Sequence, residues 1–439
     1  MKILKFGGTS VGKPDRMQQV ARLITEHKER KIVVLSALSG MTNSLVEIGR
    51  LLNGHQKAEA RVKVEELYTH HLNFSHDLLN TEKKKTEAAR ILERHFDFIR
   101  NLPGAYFNKR LNNELLAQGE LLSTQLFQLY LEEQDVNSIL IPALDFMVID
   151  EDKEPDISYI RSHLESILDA NKSYDIFVTQ GYICRNHEGE IENLKRGGSD
   201  YSATLIGAAI LAEEVQIWTD IDGMHNNDPR VVENTYPISE LSFNEASELA
   251  YFGAKILHPS SVWPVQKYQV PVRLKNTMDP GAYGTYISNK EEMKTIKAIA
   301  AKDGITAIKI KSTRMLMAYG FLRKVFQIFE NYRTPIDMIT TSEVAVSLTI
   351  DDNTNLAPIS KEISEFADVA IDENQTIICI VGNLIVEKEE VLQKVFRALE
   401  AFPVRMIAYG GSRYNISVLV ENKHKEAALK ELNRYVFSL

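Results

Sequence analysis

The sequence predicts an α/β protein, followed by a smaller region of different character near its carboxyl end. Short, wholly apolar runs alternate with amphipathic stretches from residue 1 to about 290. Glycine-rich loops follow several of these runs, and two similar segments occur after residue 300. Continuous apolar strands are typical of a parallel sheet covered by helices on both faces. The chain is therefore expected to contain a large α/β domain and a separate repeated module.

Composition narrows the class of protein. The 439 residues predict two or three domains, and 44% hydrophobic with 25% charged residues is typical of a globular protein. A net charge of −9 argues against a dedicated nucleic-acid binder. Two cysteines, Cys184 and Cys379, favour buried small side chains over a disulfide framework or a zinc site. No signal-peptide or membrane-spanning pattern is present, so we expect a cytoplasmic protein.

The first elements form a βαβ unit. Residues 2–6 and 31–37 read as strands, and residues 14–29 between them carry one apolar helical stripe. Residues 55–100 follow as a helical excursion with few breakers. Further strands are expected at 138–142, 175–181 and 215–219, with helices at 119–134, 157–170 and 200–213. The turn-rich residues 279–292 read as a linker.

An internal repeat of about 70 residues follows the linker. Residues 320–339 and 389–407 each contain an amphipathic helix with Lys-Val-Phe, followed by Pro-x-x-Met-Ile. An alternating strand comes after each. Neither copy carries a Cys/His cluster or a nucleophile–base pair, so the repeat predicts two small βαβ-type modules for binding or dimerisation.

The opening of the chain nearly matches a phosphate-binding P-loop. Gly7, Gly12 and Lys13 fit G-x-x-x-x-G-K, but Pro14 stands where that motif requires Ser or Thr. Proline has neither a hydroxyl nor an N–H group, and it suits the first turn of a helix. We therefore interpret the match as accidental.

Several loops that follow strands carry residues suited to anions. Lys5 stands at the end of the first strand, and Gly7 with Gly8 could offer N–H groups to a phosphate, although a tight turn is the alternative. The segment from Ser36 to Asn43 is a second such loop, unless Ser39 or Thr42 only caps a helix.

Two more segments carry charged residues at predicted helix starts. Glu120 is predicted at a helix start, where it either complements the helix dipole or holds an ammonium group. Lys195 and Arg196 precede two glycines, Ser199 and Asp200 at another helix start. Arg196 can bind a carboxylate through two hydrogen bonds, whereas Asp200 could simply be a cap. Polar residues at 218–230 and 252–259 could hold a nucleotide, and together these loops favour phosphoryl transfer.

These blocks closely resemble aspartate kinase, in its monofunctional form, of the amino-acid kinase superfamily. The resemblance spans the whole chain and is carried by KFGGTSV (5–11), LSALSGMTN (35–43), QGELLST (118–124), RGGSDY (196–201), WTDIDG (218–223), NDPR (227–230) and FGAKILHP (252–259). It implies a carbamate kinase-like three-layer αβα sandwich over residues 1–290, followed by two ferredoxin-like ACT modules. ACT domain 1 would span 305–375, and ACT domain 2 would join 295–304 to 376–439.

The resemblance also implies an activity and a site. ATP would phosphorylate the side chain of L-aspartate to 4-phospho-L-aspartate, the entry to lysine, threonine and methionine biosynthesis, with Mg²⁺ held mainly by the ATP phosphates. Lys5 and Asp200 would be catalytic. Aspartate would bind to Ser36, Thr42, Glu120, Arg196, Gly197, Gly198 and Ser199. The nucleotide would bind to Lys5, Gly7, Gly8, Thr219, Asp220, His225, Arg230 and Lys255. His225 is a departure, because relatives often carry a tyrosine there.

The ACT modules imply feedback regulation by an amino acid, with lysine as the expected effector. The matching effector residues are Met315, Asp337, Thr341, Ser342 and Glu343. Ala318 stands where relatives carry a serine, which weakens the case for lysine. ACT pairing implies a homodimer or tetramer, and no nucleic-acid or membrane partner is expected. Two rivals remain at this point: another amino-acid kinase, such as a glutamate or acetylglutamate kinase, and an amino-acid sensor with an inactive kinase domain.

Overall fold

The computed structural model describes residues 1–194, 197–253, 257–291, 296–312, 319–383 and 385–438. These residues form two compact units: Met1–Met224 with Ile256–Asn289, and His225–Lys255 with Lys290–Leu439. No helix in the described ranges is long and apolar enough to cross a bilayer. Both cysteines are free and buried, as predicted.

The strands are β1 (Lys2–Phe6), β2 (Lys31–Leu35), β3 (Ser138–Leu140), β4 (Ile176–Gln180), β5 (Ile183–Arg185), β6 (Ile191–Asn193), β7 (Glu214–Thr219), β8 (Glu240–Ser242), β9 (Val272–Asn276), β10 (Thr285–Ser288), β11 (Ala298–Lys311), β12 (Ile339–Thr341), β13 (Ala345–Ile350), β14 (Asp368–Val381), β15 (Met406–Tyr409) and β16 (Asn415–Glu421).

The helices are α1 (Gly8–Val11), α2 (Pro14–Thr25), α3 (Met41–Asn53), α4 (Lys57–Leu78), α5 (Glu82–Asn101), α6 (Lys109–Glu133), α7 (Ile157–Ala170), α8 (Gly198–Ala209), α9 (Phe243–Tyr251), α10 (Pro259–Tyr268), α11 (Phe321–Asn331), α12 (Leu356–Ser364), α13 (Glu389–Ala398) and α14 (Lys425–Phe437). Pro14 begins α2, as the failed P-loop match predicts.

The first unit is built on a mostly parallel sheet in the order β3-β4-β2-β1-β7-β9-β10. Every neighbouring pair is parallel except β9 with β10, which is antiparallel. The central strands β1 and β2 are almost wholly buried, which explains their continuous apolar sequences. The α/β prediction is confirmed. The predicted linker is wrong in part, because residues 285–288 form β10, which pairs with β9 in this sheet.

The helical excursion is confirmed as α4 and α5, which pack with α3 and α6 in one apolar core. The predicted start of the helix at residue 119 is wrong. Helix α6 begins at Lys109, after an Asn108 side chain that accepts the N–H of Leu111, so it runs ten residues longer at its amino end. Gln118, Gly119 and Glu120 therefore lie inside the helix.

The second unit contains a six-stranded antiparallel sheet in the order β12-β13-β11-β14-β16-β15. Strands β11 and β14 are each 14 residues long and pair with one another along most of that length. The sheet has two apolar cores. One contains residues of α11 and α12, and the other contains residues of α13 and α14. The two repeats thus occupy opposite halves of one continuous sheet.

Candidate active site

The carboxyl ends of four parallel strands meet at one edge of the first unit. Phe6 at the end of β1 is in register with Leu35 of β2 and Trp218 of β7, and Leu35 is in register with Gln180 of β4. The loops that leave these strands therefore start side by side. Open α/β sheets bind ligands at this edge, and most sequence-predicted site residues of the first unit lie on these loops or beside them.

A buried ion pair lies at this edge. Lys5, the last residue but one of β1, is 9% exposed, and its Nζ lies 2.6 Å from Oδ1 of Asp200 in the first turn of α8. The two side chains are 11% and 18% exposed. A Cβ atom on Gly7 would lie 3.3 Å from Nζ, so a larger residue there would crowd the ammonium group. The sequence-predicted catalytic residues are thus in direct contact.

Glu120 lies in the middle of α6 rather than at a helix start, so the dipole interpretation is wrong. The carboxyl is almost completely buried, and its Oε1 accepts the N–H of Ala37 at 3.2 Å. Its Oε2 has no hydrogen-bond partner among the described residues. Burial raises the pKa of Glu120 to about 8, against the opposing effects of backbone N–H groups and the Lys5 charge. A cation placed next to Oε2 would favour the ionised form.

Gly119 explains how the buried glutamate comes so close to the loop after β2. A Cβ at this position would lie 2.7 Å from the Cβ of Ala37, closer than two carbons normally approach. Glycine therefore lets α6 and the loop touch. In the same contact the Ser123 hydroxyl donates to the carbonyl of Ser36 at 2.8 Å.

The loop from Ser36 to Asn43 leads into α3. The N–H of Ser36 donates to the carbonyl of Phe6, which joins this loop to the end of β1. Gly40, with φ of 80°, is the residue before α3, and no side chain caps the helix. The alternative in which Ser39 or Thr42 acts as a cap is therefore wrong. Thr42 is half-buried in the first turn.

The start of α8 is shaped by two glycines with positive φ. Gly197 has φ of 89° and Gly198 has φ of 38°. Gly197 precedes the helix and no side chain caps it, so Asp200 does not cap the helix and is used in the ion pair with Lys5. Ser199 is buried, and a Cβ on Gly181 would clash with it at 2.4 Å. Lys195 and Arg196 lie outside the described residues.

The sequence-predicted nucleotide residues fall into two groups. Gly7, Gly8, Thr219 and Asp220 lie in the first unit. The N–H of Gly7 donates to the carbonyl of Trp218 at 3.4 Å, so this group is not a free donor for an anion. Thr219 ends β7, and its hydroxyl donates to the exposed Asp220 at 3.1 Å.

The remaining nucleotide residues belong to the second unit. Nδ1 of His225 lies 3.1 Å from the Thr235 hydroxyl. Arg230 is well exposed and binds both carboxylate oxygens of Asp228, at 2.9 and 2.8 Å. Lys255 lies outside the described residues.

The sequence-predicted effector residues surround the turn between β12 and β13. Thr341 ends β12, the N–H of Ser342 donates to the carbonyl of Ala345, and Glu343 is exposed. Met315 lies outside the described residues, as does Ala318. Asp337 is different, because its side chain is only 2% exposed.

Asp337 already forms an ion pair with an ammonium group of its own chain. Lys302 Nζ lies 2.7 Å from Asp337 Oδ1 and 2.9 Å from Asp351, and it also lies over the ring of Tyr251 at 4.7 Å. The Tyr251 hydroxyl donates to Asp337 at 2.9 Å. Burial raises the pKa of Asp337 despite the nearby lysine. Lys302, Tyr251 and Asp351 carried no sequence signal, because long-range pairing alone brings them to Asp337.

Tyr182 is the residue near the candidate active site that sequence reasoning missed. It follows β4 at the same edge as Lys5, and its ring lies against Gly198. Its location depends on a left-handed backbone conformation, which a Gly-Tyr pair after a strand does not predict.

The described ranges contain no group of three or more His, Cys, Asp or Glu side chains placed to hold a metal ion.

Comparison with known proteins identifies the family. The model of the amino acid kinase family matches residues 1–276, and a model of an ACT domain matches residues 378–435. Lysine-sensitive aspartokinase 3 of Escherichia coli (strain K12) is 33% identical over 447 residues, which cover 99% of each chain. Aspartokinase 2, chloroplastic, of Arabidopsis thaliana is 33% identical over 464 residues, covering 99% of this chain and 84% of that relative.

A solved structure agrees with the sequence relatives. E. coli aspartokinase III in complex with aspartate and ADP, described as the R-state, superposes over 100% of both chains with a TM-score of 0.87 and 33% identity. The same enzyme in complex with lysine and aspartate, the T-state, gives a TM-score of 0.81. Because the family model covers well over half of the chain and these relatives match nearly all of it, the chain belongs to the amino acid kinase family and, within it, to the aspartokinases.

Proposed function

We propose that the chain transfers the γ-phosphoryl group of ATP to the side-chain carboxylate of L-aspartate, giving 4-phospho-L-aspartate and ADP, at the sheet edge where Lys5 meets Asp200. The observation that carries this proposal is the buried Lys5–Asp200 pair beside a buried glutamate. The E. coli relative described above was solved with aspartate and ADP, which supports the same pair of ligands here. The product would enter lysine, threonine and methionine biosynthesis.

The chemistry requires no general base. The attacking carboxylate is ionised at neutral pH, so the protein has only to align the two substrates and to stabilise the negative charge of the phosphoryl group in transfer. Lys5 suits this task because its ammonium group is fixed in a buried position. Asp200 would orient that ammonium group and keep it at the strand end, and thus organise the site rather than take a proton.

Glu120 would bind the α-ammonium group of aspartate. A buried carboxyl with one unused oxygen is costly to ionise alone, and a bound ammonium group would offset that cost. Ser36, Thr42, Gly197, Gly198 and Ser199 surround the same edge and would complete the aspartate pocket, with Arg196 on the α-carboxylate. A pocket that pairs both α-groups would distinguish amino acids from simple dicarboxylates.

ATP would be held by Gly7, Gly8, Thr219 and Asp220 together with Lys5, and by His225, Arg230 and Lys255. Arg230 is held by Asp228, and binding of a phosphate would compete with that carboxylate. The protein offers no ready acidic cage to a divalent ion among its described residues. Mg²⁺ would therefore arrive on the ATP phosphates, where it would neutralise part of their charge.

We also propose that lysine is the feedback effector and that it binds at Asp337, Thr341, Ser342 and Glu343, with Met315. The relatives include a lysine-sensitive enzyme and a structure with bound lysine. Asp337 supports a cationic effector because it already accommodates one ammonium group, that of Lys302. The ACT boundaries predicted above, and a homodimer or tetramer formed through these modules, are part of the same proposal.

Hydroxamate trapping tests the catalytic proposal. Purified protein with ATP, Mg²⁺, aspartate and hydroxylamine should give aspartyl hydroxamate, measured by its ferric complex. Glutamate and N-acetylglutamate in place of aspartate serve as acceptor controls and should give none above background. Product from either control but not from aspartate would favour the rival amino-acid kinases, and no product from any acceptor would favour a sensor without activity.

A further inference from the structure

Tyr182 adopts a backbone conformation that residues other than glycine rarely adopt. It is the second residue after β4, and its φ is 66°, in the left-handed region. A bulky residue with such a φ is disfavoured and persists only where its surroundings fix it. Residues held in this way cluster at functional sites, so the outlier directs attention to what its ring contacts.

Hydrogen bonds fix the backbone on both sides of this residue. The N–H of Tyr182 donates to the hydroxyl of Ser202 at 2.8 Å, and its carbonyl accepts the N–H of Leu194 at 2.7 Å. The preceding Gly181 donates its N–H to the carbonyl of Leu35 at 2.9 Å. The segment is therefore joined to α8 and to the end of β2, the elements that carry the aspartate-binding loops of the proposed function.

The ring of Tyr182 lies against the start of α8. A Cβ on Gly198 would lie 3.3 Å from Cδ2 of this ring, and the three nearest atoms around that Cβ all belong to Tyr182. The side chain is half-buried, and it is close enough to Glu120 for the two groups to interact electrostatically. Two proposed contacts of aspartate, the glycine turn and the buried carboxyl, thus share one aromatic neighbour.

We propose that Tyr182 is a positioning residue of the aspartate pocket: its ring fixes the Gly197–Ser199 turn near Glu120. The inference rests on the proposed function. The ring supports the glycine segment that would line the aspartate pocket, and it lies near the carboxyl that would meet the α-ammonium group. Loss of the ring should therefore weaken binding of the amino-acid substrate. Binding of the nucleotide should change little, because the predicted nucleotide residues at the end of β7 and beyond it lie on other loops.

The test compares substitutions at Tyr182 by steady-state kinetics with both substrates varied. Tyr182→Ala should raise the KM for aspartate about tenfold and change the KM for ATP by less than twofold, and Tyr182→Phe should restore values within twofold of the wild type. Tyr182→Gly keeps the left-handed backbone comfortable and removes the ring, so it should fold well and still show the raised aspartate KM. Tyr159→Ala removes a ring that stacks on His163 of α7 and serves as the matched control.

The outcomes separate the inference from the function on which it rests. A wild-type protein that gives no aspartyl hydroxamate overturns the proposed function. If the wild type is active, an unchanged aspartate KM in Tyr182→Gly overturns the positioning role. An equal rise in both KM values also overturns it, because a general loss of structure would affect both substrates. A thermal melt of each variant shows whether folding has changed.

Discussion

Two lysine–aspartate pairs, one in each unit, have almost the same separation between their charged atoms but different numbers of further partners. Lys5 and Asp200 are 2.6 Å apart, and Lys302 and Asp337 are 2.7 Å apart. Lys5 has one carboxylate partner among the described residues, whereas Lys302 binds a second carboxylate, Asp351, and an aromatic ring. Lys5 is thus paired with a single carboxylate, whereas Lys302 is already paired with two.

The second pair also differs in how burial is compensated. Burial lowers the pKa of Lys302, but hydrogen bonds to two aspartates outweigh it and raise the pKa overall. Burial raises the pKa of Asp337, because its side chain is almost wholly enclosed. A buried carboxylate without its lysine would be costly, so an effector ammonium group can enter only by replacing or sharing Lys302. The comparison predicts that removing Lys5 lowers the rate of catalysis, whereas removing Lys302 strengthens binding of the effector.

The largest effect is expected at the Lys5–Asp200 pair, to which the proposed function gives the catalytic role. Lys5→Met should lower kcat about 1000-fold, because it removes a fixed positive charge from the phosphoryl group in transfer. The rate is measured by ADP release with saturating aspartate. Lys2→Met on the same strand removes a lysine paired with Glu29 at the surface and should leave kcat within twofold. A Lys5→Met variant that folds and retains a tenth of the wild-type rate would remove Lys5 from the catalytic role.

The next effect concerns the buried glutamate. Glu120→Gln should raise the KM for aspartate about 100-fold, since a neutral amide cannot pair with the α-ammonium group. In the wild type, the pKa of about 8 means that free Glu120 is mostly protonated at neutral pH, so binding of aspartate should release a proton.

Affinity should therefore rise with pH up to about 8 and then level off. Calorimetry in buffers of different ionisation enthalpy counts the released proton, and Glu120→Gln should release none from this group. Gln118→Glu is not a suitable control, because Gln118 contacts His95. Glu114→Gln is suitable, because Glu114 is partly exposed and pairs only with Arg110 of the same helix among the ion pairs of the described residues. A flat affinity profile between pH 6 and 8 would contradict the assignment.

A smaller effect of opposite sign is expected at the Lys302–Asp337 pair, where we propose that the effector binds. Lys302→Met should lower the lysine concentration for half-inhibition about tenfold, because the effector would meet a carboxylate that has lost its internal partner. Lys309→Met on the same strand removes a lysine whose 2.7 Å pair with Asp372 lies near the surface, and it should leave inhibition unchanged. Weaker inhibition in Lys302→Met would mean that Lys302 supports the effector rather than competing with it.

The smallest effect is expected for the tyrosine on Asp337. Tyr251→Phe removes one hydrogen bond to a buried carboxylate and keeps the ring under Lys302, so the free energy of unfolding should fall by about 1 kcal/mol. Urea unfolding of the full chain measures it. Tyr409→Phe loses a hydroxyl that donates to the backbone carbonyl of Val386 at the surface, so its free energy of unfolding should fall by less. Equal losses would show that burial of Asp337 adds nothing to this hydrogen bond.

The sequence predicted what depends on local pattern and strand ends. The first βαβ unit, the helical excursion and the repeat were visible in periodicity. Lys5 and Asp200 were placed correctly at ends of elements, but their direct contact was not predicted. The start of α6 was misjudged because Gly119 looked like a boundary. Its physical role is a close contact with Ala37 in the middle of the helix. Strand β10 was missed because turn residues surround its four residues on both sides.

Other features could not be read from one sequence in physical terms. Tyr182 takes a conformation that only tertiary hydrogen bonds to Ser202 and Leu194 can hold. Lys302 and Tyr251 are 35 and 86 residues away from Asp337 in the sequence, and no local rule pairs them with it. The failed helix-cap alternatives at Thr42 and Asp200 show the same limit, since those side chains were free for other contacts.

The two long central strands of the second unit, β11 and β14, each run through both halves of the sheet. In β11, residues up to Lys302 pair with the distal end of β14, and residues from Ile305 onward pair with its beginning. The register shifts between these stretches, immediately beside Lys302. The half that contains β12 and β13 is therefore made from one continuous stretch of chain, whereas the other half is made from chain on both sides of that stretch. A deletion that removes the inserted stretch would have to rejoin β11 and β14 where their register shifts, between Lys302 and Ala307.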